Sequence, residues 1–85
     1  MKYKIHEAWI DEIELETNDK KEAINFIKIK EQKEYNEYLK YVQECKDNYE
    51  EYSDYYPDYY IEFNEKFYDI TNLFELKQEV SNETI

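Results

Sequence analysis

The absence of glycine constrains this 85-residue chain more than any other feature. Glycine enters left-handed backbone geometry without steric cost, so here every reversal falls to residues that tolerate it less well. Asn and Asp are the next best, because their short polar side chains support local turns. Thr17-Asn18-Asp19-Lys20 and Asn64-Glu65-Lys66 supply them between apolar runs and are expected to turn. The same absence removes phosphate-cradling P-loops and dinucleotide fingerprints, both built on glycine.

Between these points the apolar periodicity assigns elements. Residues 2–16 set Tyr3, Ile5, Trp9, Ile13 and Leu15 on one side of an alternating pattern, which predicts one or two strands with a break at His6-Glu7. Residues 22–30 (EAINFIKIK) read as a returning antiparallel strand. A helix start is the competing reading, because Ile24 and Ile27 lie three apart. From Glu31 to about Tyr55, Tyr35, Tyr38, Leu39, Val42, Cys45, Tyr49 and Tyr52 recur at three- and four-residue steps. That spacing predicts one long amphipathic helix, ended or kinked by Pro57. Residues 60–63 and 67–70 predict a second hairpin. Thr71 is placed to cap a short final helix carrying Leu73, Leu76 and Val80, with 81–85 frayed. The expected fold is a single α+β domain over 1–85, a small antiparallel sheet packed on one long helix with a short C-terminal helix.

Apolar residues make up 41% of the chain and aromatics 19%; rings of that number bury enough area to give a short chain a core. One cysteine precludes an intramolecular disulfide, and Cys45 reads as a small buried hydrophobe. No apolar run has the length of a membrane span or the form of a secretory leader, so a cytoplasmic protein is expected. One His and one Cys supply at most two zinc ligands. The acids from Asp54 to Glu65 lack the spacing and central glycine of a calcium loop. The basic residues are all lysine, so no planar bidentate clamp for phosphate exists. His6 reads as a surface or packing residue beside Trp9. No catalytic residue, metal or cofactor is expected, and the chain reads as a binding protein rather than an enzyme.

The charge arrangement carries the functional signal. The net charge is −11, and it is uneven. Residues 1–43 hold eight lysines against ten acids, whereas residues 44–85 hold three against twelve. Glu44, Asp47, Glu51, Asp54 and Asp58 follow at steps of three and four, which on a helix sets them on one stripe, Asp58 only if helical geometry outlasts Pro57. Acids so spaced recur about every 5 Å, against the 3.4 Å per phosphate of one DNA strand. Such a stripe suits a partner whose lysines and arginines are arranged for phosphates. Tyr49, Tyr52 and Tyr59 are expected to face inward, and Tyr55 and Tyr56 to be at least partly exposed as contact aromatics. Direct binding to nucleic acid or an anionic membrane is disfavoured, since both repel this field. The plain competing reading is a solvated acidic face, with the tyrosines a product of AT-rich codons.

In size, charge and texture, centred on residues 44–69, the chain resembles small phage-encoded inhibitors of bacterial defence enzymes. These include anti-CRISPR proteins, anti-restriction DNA mimics and uracil-DNA glycosylase inhibitors. The resemblance implies an inhibitor in the host cytoplasm that occupies the basic nucleic-acid channel of a nuclease or repair enzyme. The candidate partner-binding residues are Glu44, Asp47, Glu51, Asp54, Asp58, Tyr55 and Tyr56. The alternative is a small adaptor or regulatory subunit that docks through an apolar helix or sheet-edge surface and responds to changes at Leu73 or Phe74. A tyrosine-rich helix is also capable of forming a homodimer.

Overall fold

The computed structural model of the protein describes residues 2–10 and 12–81, the side chains of 79–81 excepted. The element order is β1 (Tyr3–Glu7), β2 (Glu12–Thr17), α1 (Lys20–Asp47), β3 (Tyr59–Phe63), β4 (Lys66–Tyr68) and α2 (Leu73–Ser81). The strands form one antiparallel sheet in the order β2-β1-β3-β4. This is the expected α+β architecture. β1 holds the centre, paired to β2 through a short turn and to β3 across the whole of α1. The break between β1 and β2 falls at Ala8–Ile10, just beyond His6-Glu7.

Residues 22–30 are not a strand. They are the first turns of α1, the competing reading. Asp19 is the N-cap and its side chain accepts from the Lys21 N–H, while Glu22 sits in the first turn where the helix dipole favours an acid. Ala23, Ile24, Ile27 and Glu31 are buried on one face, at helical spacing. An alternating pattern would need Ile29 turned with its neighbours, and Ile29 is 83% exposed. The Thr17–Lys20 cluster therefore turns the chain from a strand into a helix rather than into a hairpin.

The helix also ends early, at Asp47 and not near Tyr55, ten residues before Pro57. The Tyr49 N–H bonds to the Lys46 carbonyl and the Glu50 N–H to the Cys45 carbonyl, with Tyr49 left-handed at φ 56°. These are the two bonds of a Schellman stop, made with tyrosine where glycine usually stands. The charge distribution explains the position. Continuing the helix would stack Glu50, Glu51 and Asp54 on Glu44 and Asp47, with like charges at i,i+3 and i,i+4 at the negative end of the dipole.

β3 and β4 form the second hairpin, with Phe63 opposite Lys66. Asn64 and Glu65 both have positive φ, 54° and 62°, the two-residue turn whose twist matches a hairpin. Thr71 does not cap α2. Its N–H and hydroxyl both donate to Asp69 Oδ1, and Asn72 Oδ1 accepts from the Asp69 N–H. A hydroxyl engaged upstream leaves capping to Asn72, whose carbonyl accepts from Glu75. Of the residues expected to fray, Ser81 closes α2 and the others lie outside the described residues.

The inner face of the sheet and both helices enclose one core. It joins Tyr3, Ile5, Ile61, Phe63 and Tyr68 to Ala23, Ile24 and Ile27 of α1 and to Ile70, Leu73 and Leu76. Tyr3 stacks on Phe63 at 4.2 Å. The buried residues that α1 gives this core lie in its N-terminal third, and Tyr35 packs against it from further along. On the outer face, which presents Lys4, His6, Ile13, Tyr60, Glu62 and Phe67, no helix packs among the described residues. His6 is a packing residue there, stacked on Tyr60 at 4.8 Å and bonded to Glu62 at 2.9 Å. β2 is an edge strand, and Glu12, Glu14 and Glu16 are exposed along it.

Candidate partner-binding surface

The segment after the Schellman stop determines the geometry of the acidic tract. Residues 50–57 have no regular secondary structure. They run back along α1 as a strap and enter the sheet at Tyr59. Their first anchor is the Glu50–Cys45 backbone bond. Their second is the Tyr38 hydroxyl, which donates to the Ser53 carbonyl at 2.8 Å. Lys46 Nζ lies 5.9 Å from the centre of the Tyr52 ring. Tyr55 packs on Tyr35 at 5.1 Å and on Tyr38 at 5.3 Å.

The strongest anchor is Glu31, 1% exposed. One carboxylate oxygen accepts from the Tyr55 hydroxyl at 2.9 Å and the other from the Tyr59 N–H at 2.6 Å. Burial pushes the Glu31 carboxyl above the usual range, and these two donors hold it partly down. Burial, then the Glu31 carboxylate, push the Tyr55 hydroxyl up, so it stays a donor. Sequence periodicity places Glu31 four residues after Ile27 on the buried face. A carboxylate within an apolar stripe is the sequence signal for this role.

The strap ends at a second acidic convergence. Asp58 Oδ1 accepts from the Trp9 indole N–H at 2.7 Å, and its carbonyl accepts from the Ala8 N–H at 2.8 Å. Glu7 is raised above the ordinary carboxylate value, first by a side-chain hydrogen bond with Glu14, then by burial and the charges of Glu14, Glu12 and Asp58. Tyr59 is raised by burial and by the charges of Glu7 and Glu14.

The five acids expected on one helical stripe are therefore divided between helix and strap. Glu44 and Asp47 occupy the last turns of α1, both exposed. Glu51 and Asp54 are exposed on the strap, where extended chain spaces them up to about 10 Å apart rather than 5 Å. Asp58 is half-buried and engaged by Trp9. Tyr55 is half-buried, its hydroxyl on Glu31, and is a packing residue. Tyr56 is 70% exposed, as expected of a contact aromatic. Tyr49, expected inward, is 98% exposed because the left-handed stop throws it outward; Tyr52 is 42% exposed and Tyr59 half-buried.

The fold replaces the stripe with two tracks. Glu34, Glu37, Glu44 and Asp47 are exposed on α1, and Glu50, Glu51 and Asp54 are exposed on the antiparallel strap. The tracks are close: the charge of Asp54 raises Tyr38 of the helix, after burial, and that of Glu34 acts on Tyr55 of the strap. Asp47 accepts from Gln43. Among the described residues no ion pair engages any of these seven acids. Trp9, Ile10 and Ile13, exposed at 72%, 55% and 48%, add apolar surface at and beside the β1–β2 turn. Alternation placed Trp9 and Ile13 with Tyr3 and Ile5, but the irregularity between Ile5 and His6 sets Ile13 opposite His6 on the outer face. The described residues hold no group of three metal-ligating side chains and no helix long and apolar enough to cross a membrane. No family model, no curated protein and no solved structure matches the chain.

Proposed function

We propose that the protein is a stoichiometric inhibitor that presents two acidic tracks to the basic nucleic-acid channel of a nuclease or repair protein. One observation carries the reading. The strap is anchored through its backbone and tyrosines, onto Glu31, Tyr38 and Cys45, which leaves its carboxylates turned to solvent beside those of the helix. Like charges brought together cost folding energy. An arrangement that assembles them on a built scaffold is explained by a cationic partner that offsets the repulsion. Tyr49 and Tyr56, both largely exposed, flank the tracks with the residue type that interfaces favour. Mimicry here is of charge density on two antiparallel rows rather than of phosphate spacing along one helix.

The test is capture of partners from bacterial lysate at about 50 and 300 mM salt, a range that screens surface charge progressively. Wild type is compared with a variant carrying Glu44→Gln, Asp47→Asn, Glu51→Gln and Asp54→Asn. The reading expects a nucleic-acid-binding protein held by wild type alone, best at low salt, and displaced by added duplex DNA. The same partner on both proteins at both salts, undisturbed by DNA, sinks it.

The exposed Trp9, Ile10 and Ile13 patch favours a second reading, an adaptor that docks through the β1–β2 turn and the β2 edge. Leu73 is buried at 6% exposure and reports on the core, whereas Trp9 and Phe74 at 72% and 58% are surface probes. An adaptor loses its partner with Trp9→Ala and keeps it when the acids are neutralised.

A further inference from the structure

A cleft of about 410 Å³ opens where the strap meets the outer sheet face, bounded by Pro57, Tyr59, Tyr60, Phe67 and Asp69. Its volume falls within the range of small-ligand sites, and it is a shallow, open cleft rather than an enclosed one. Phe67 is 62% exposed and contributes nothing to the core. Its ring meets Tyr60 edge-on at 5.5 Å and 77°, which makes an aromatic corner. The corner is set in advance: Tyr60 is stacked on His6, and His6 is held by Glu62. Asp69 supplies a carboxylate at the same opening. Both Thr71 bonds fall on its Oδ1, so pairing through Oδ2 would leave the loop intact.

We propose that this cleft takes an arginine side chain of the basic partner, a step that rests on the inhibitor reading above. A guanidinium is planar and weakly hydrated, so it stacks on an aromatic face and pairs with a carboxylate at once. A lysine ammonium holds its water and gains less from such a corner. The chain has no arginine of its own to fill the cleft. Pro57 ends the strap, so an arginine seated here lies at the end of the acidic tracks. The tracks then attract any cation, and the cleft selects among them.

Hexa-arginine and hexa-lysine peptides of equal charge separate the two effects, by calorimetry and by NMR of the aromatic rings at about 150 mM salt, where long-range attraction is screened. Wild type is expected to prefer hexa-arginine by about fivefold, a cation–π contribution at a partly exposed site. Tyr60 and Phe67 ring signals should move with hexa-arginine alone. Phe67→Ala, which removes an exposed ring, should erase the preference. Asp69→Asn, which keeps an oxygen for Thr71, should reduce it and provides a second, structurally mild variant. Equal affinity of wild type for the two peptides, or a preference that survives Phe67→Ala, overturns the proposal. The four-site neutralised variant distinguishes the two readings: it should weaken both peptides equally and keep their ratio. If it weakens both while wild type shows no ratio, the cleft fails and the charge reading stands. If the ratio persists and neutralisation changes neither affinity, the cleft stands and the charge reading fails.

Discussion

Among the described residues three hold left-handed backbone without being glycine: Tyr49, Asn64 and Glu65. Asn tolerates this conformation, whereas Tyr and Glu bear a steric penalty of about 1–2 kcal/mol. Glycine would remove that penalty and give back part of it as unfolded-chain entropy. Tyr49→Gly and Glu65→Gly are each expected to stabilise by about 0.5–1 kcal/mol, read as a higher urea midpoint at unchanged slope. At Tyr49 the gain should come with weaker partner capture if that ring is a contact. Glu31 gives a pH prediction with a definite sign. Its folded carboxyl is raised by burial, so the folded state binds its proton more tightly than the unfolded chain. That stabilisation is fully present below the unfolded value near 4.5 and is lost as pH rises through the raised folded value. Glu7, raised by its bond with Glu14, acts in the same sense. Melting temperature should therefore climb as pH falls from neutrality toward 5, and Glu31→Gln should flatten the slope. A slope of opposite sign would remove Glu31 as the controlling group.

The strap is the element on which the site depends, and Glu31 holds it. Glu31→Ala strips a buried N–H and a phenol of their acceptor and should cost about 2 kcal/mol or more. Hydrogen exchange should locate the damage: the Glu50 and Tyr59 amides, bonded to Cys45 and Glu31, should lose protection while those of β1 and of Ile61–Phe63 keep theirs. Uniform loss across the sheet would mean that the strap is not an independent unit. The elements legible in the sequence were those with a period long enough to decide the matter. The strands around Tyr3–Ile5 and Tyr59–Phe63, the Asn64 turn and the Leu73–Leu76 helix all emerged from patterning. Helix α1 was legible in kind but displaced at both ends. Its start was hidden because Ile24, Phe26, Ile27 and Ile29 satisfy both periods, and the Asp19 cap decided between them. Its end was hidden because Tyr49, Tyr52, Tyr55 and Tyr59 keep a helical rhythm after the helix has stopped. That rhythm serves a strap folded onto the same helix, where Tyr55 meets Tyr35 and Tyr38. No local signal separates those two uses of one spacing. The acids of the candidate site were legible as an imbalance; their two-track arrangement, which requires the reversal at Tyr49, was not.

For the whole molecule, shape and charge act together. The extents of 46 × 32 × 21 Å reflect a helix whose last core contact is Tyr35, so its remaining turns run on with the strap beside them. Neutralising Glu44, Asp47, Glu51 and Asp54 should raise the melting temperature at low salt, and the gain should shrink as salt screens the repulsion. A gain that persists in high salt would place its origin in packing rather than charge. The β2 edge extends the same physics to association between molecules. An unpaired strand is a template for another copy of itself, and Ile13 at 48% exposure gives this one an adhesive side chain. Glu12, Glu14 and Glu16 stand guard along it as carboxylates. Near the pI of about 4.4 the net charge that keeps copies apart falls away, while the folded state is still favoured by the protons on Glu31 and Glu7. Resistance to unfolding and resistance to clumping therefore peak at different pH. Mild acid should yield a protein that melts late and precipitates early, and a buffer chosen by melting temperature alone would be a poor one for storage.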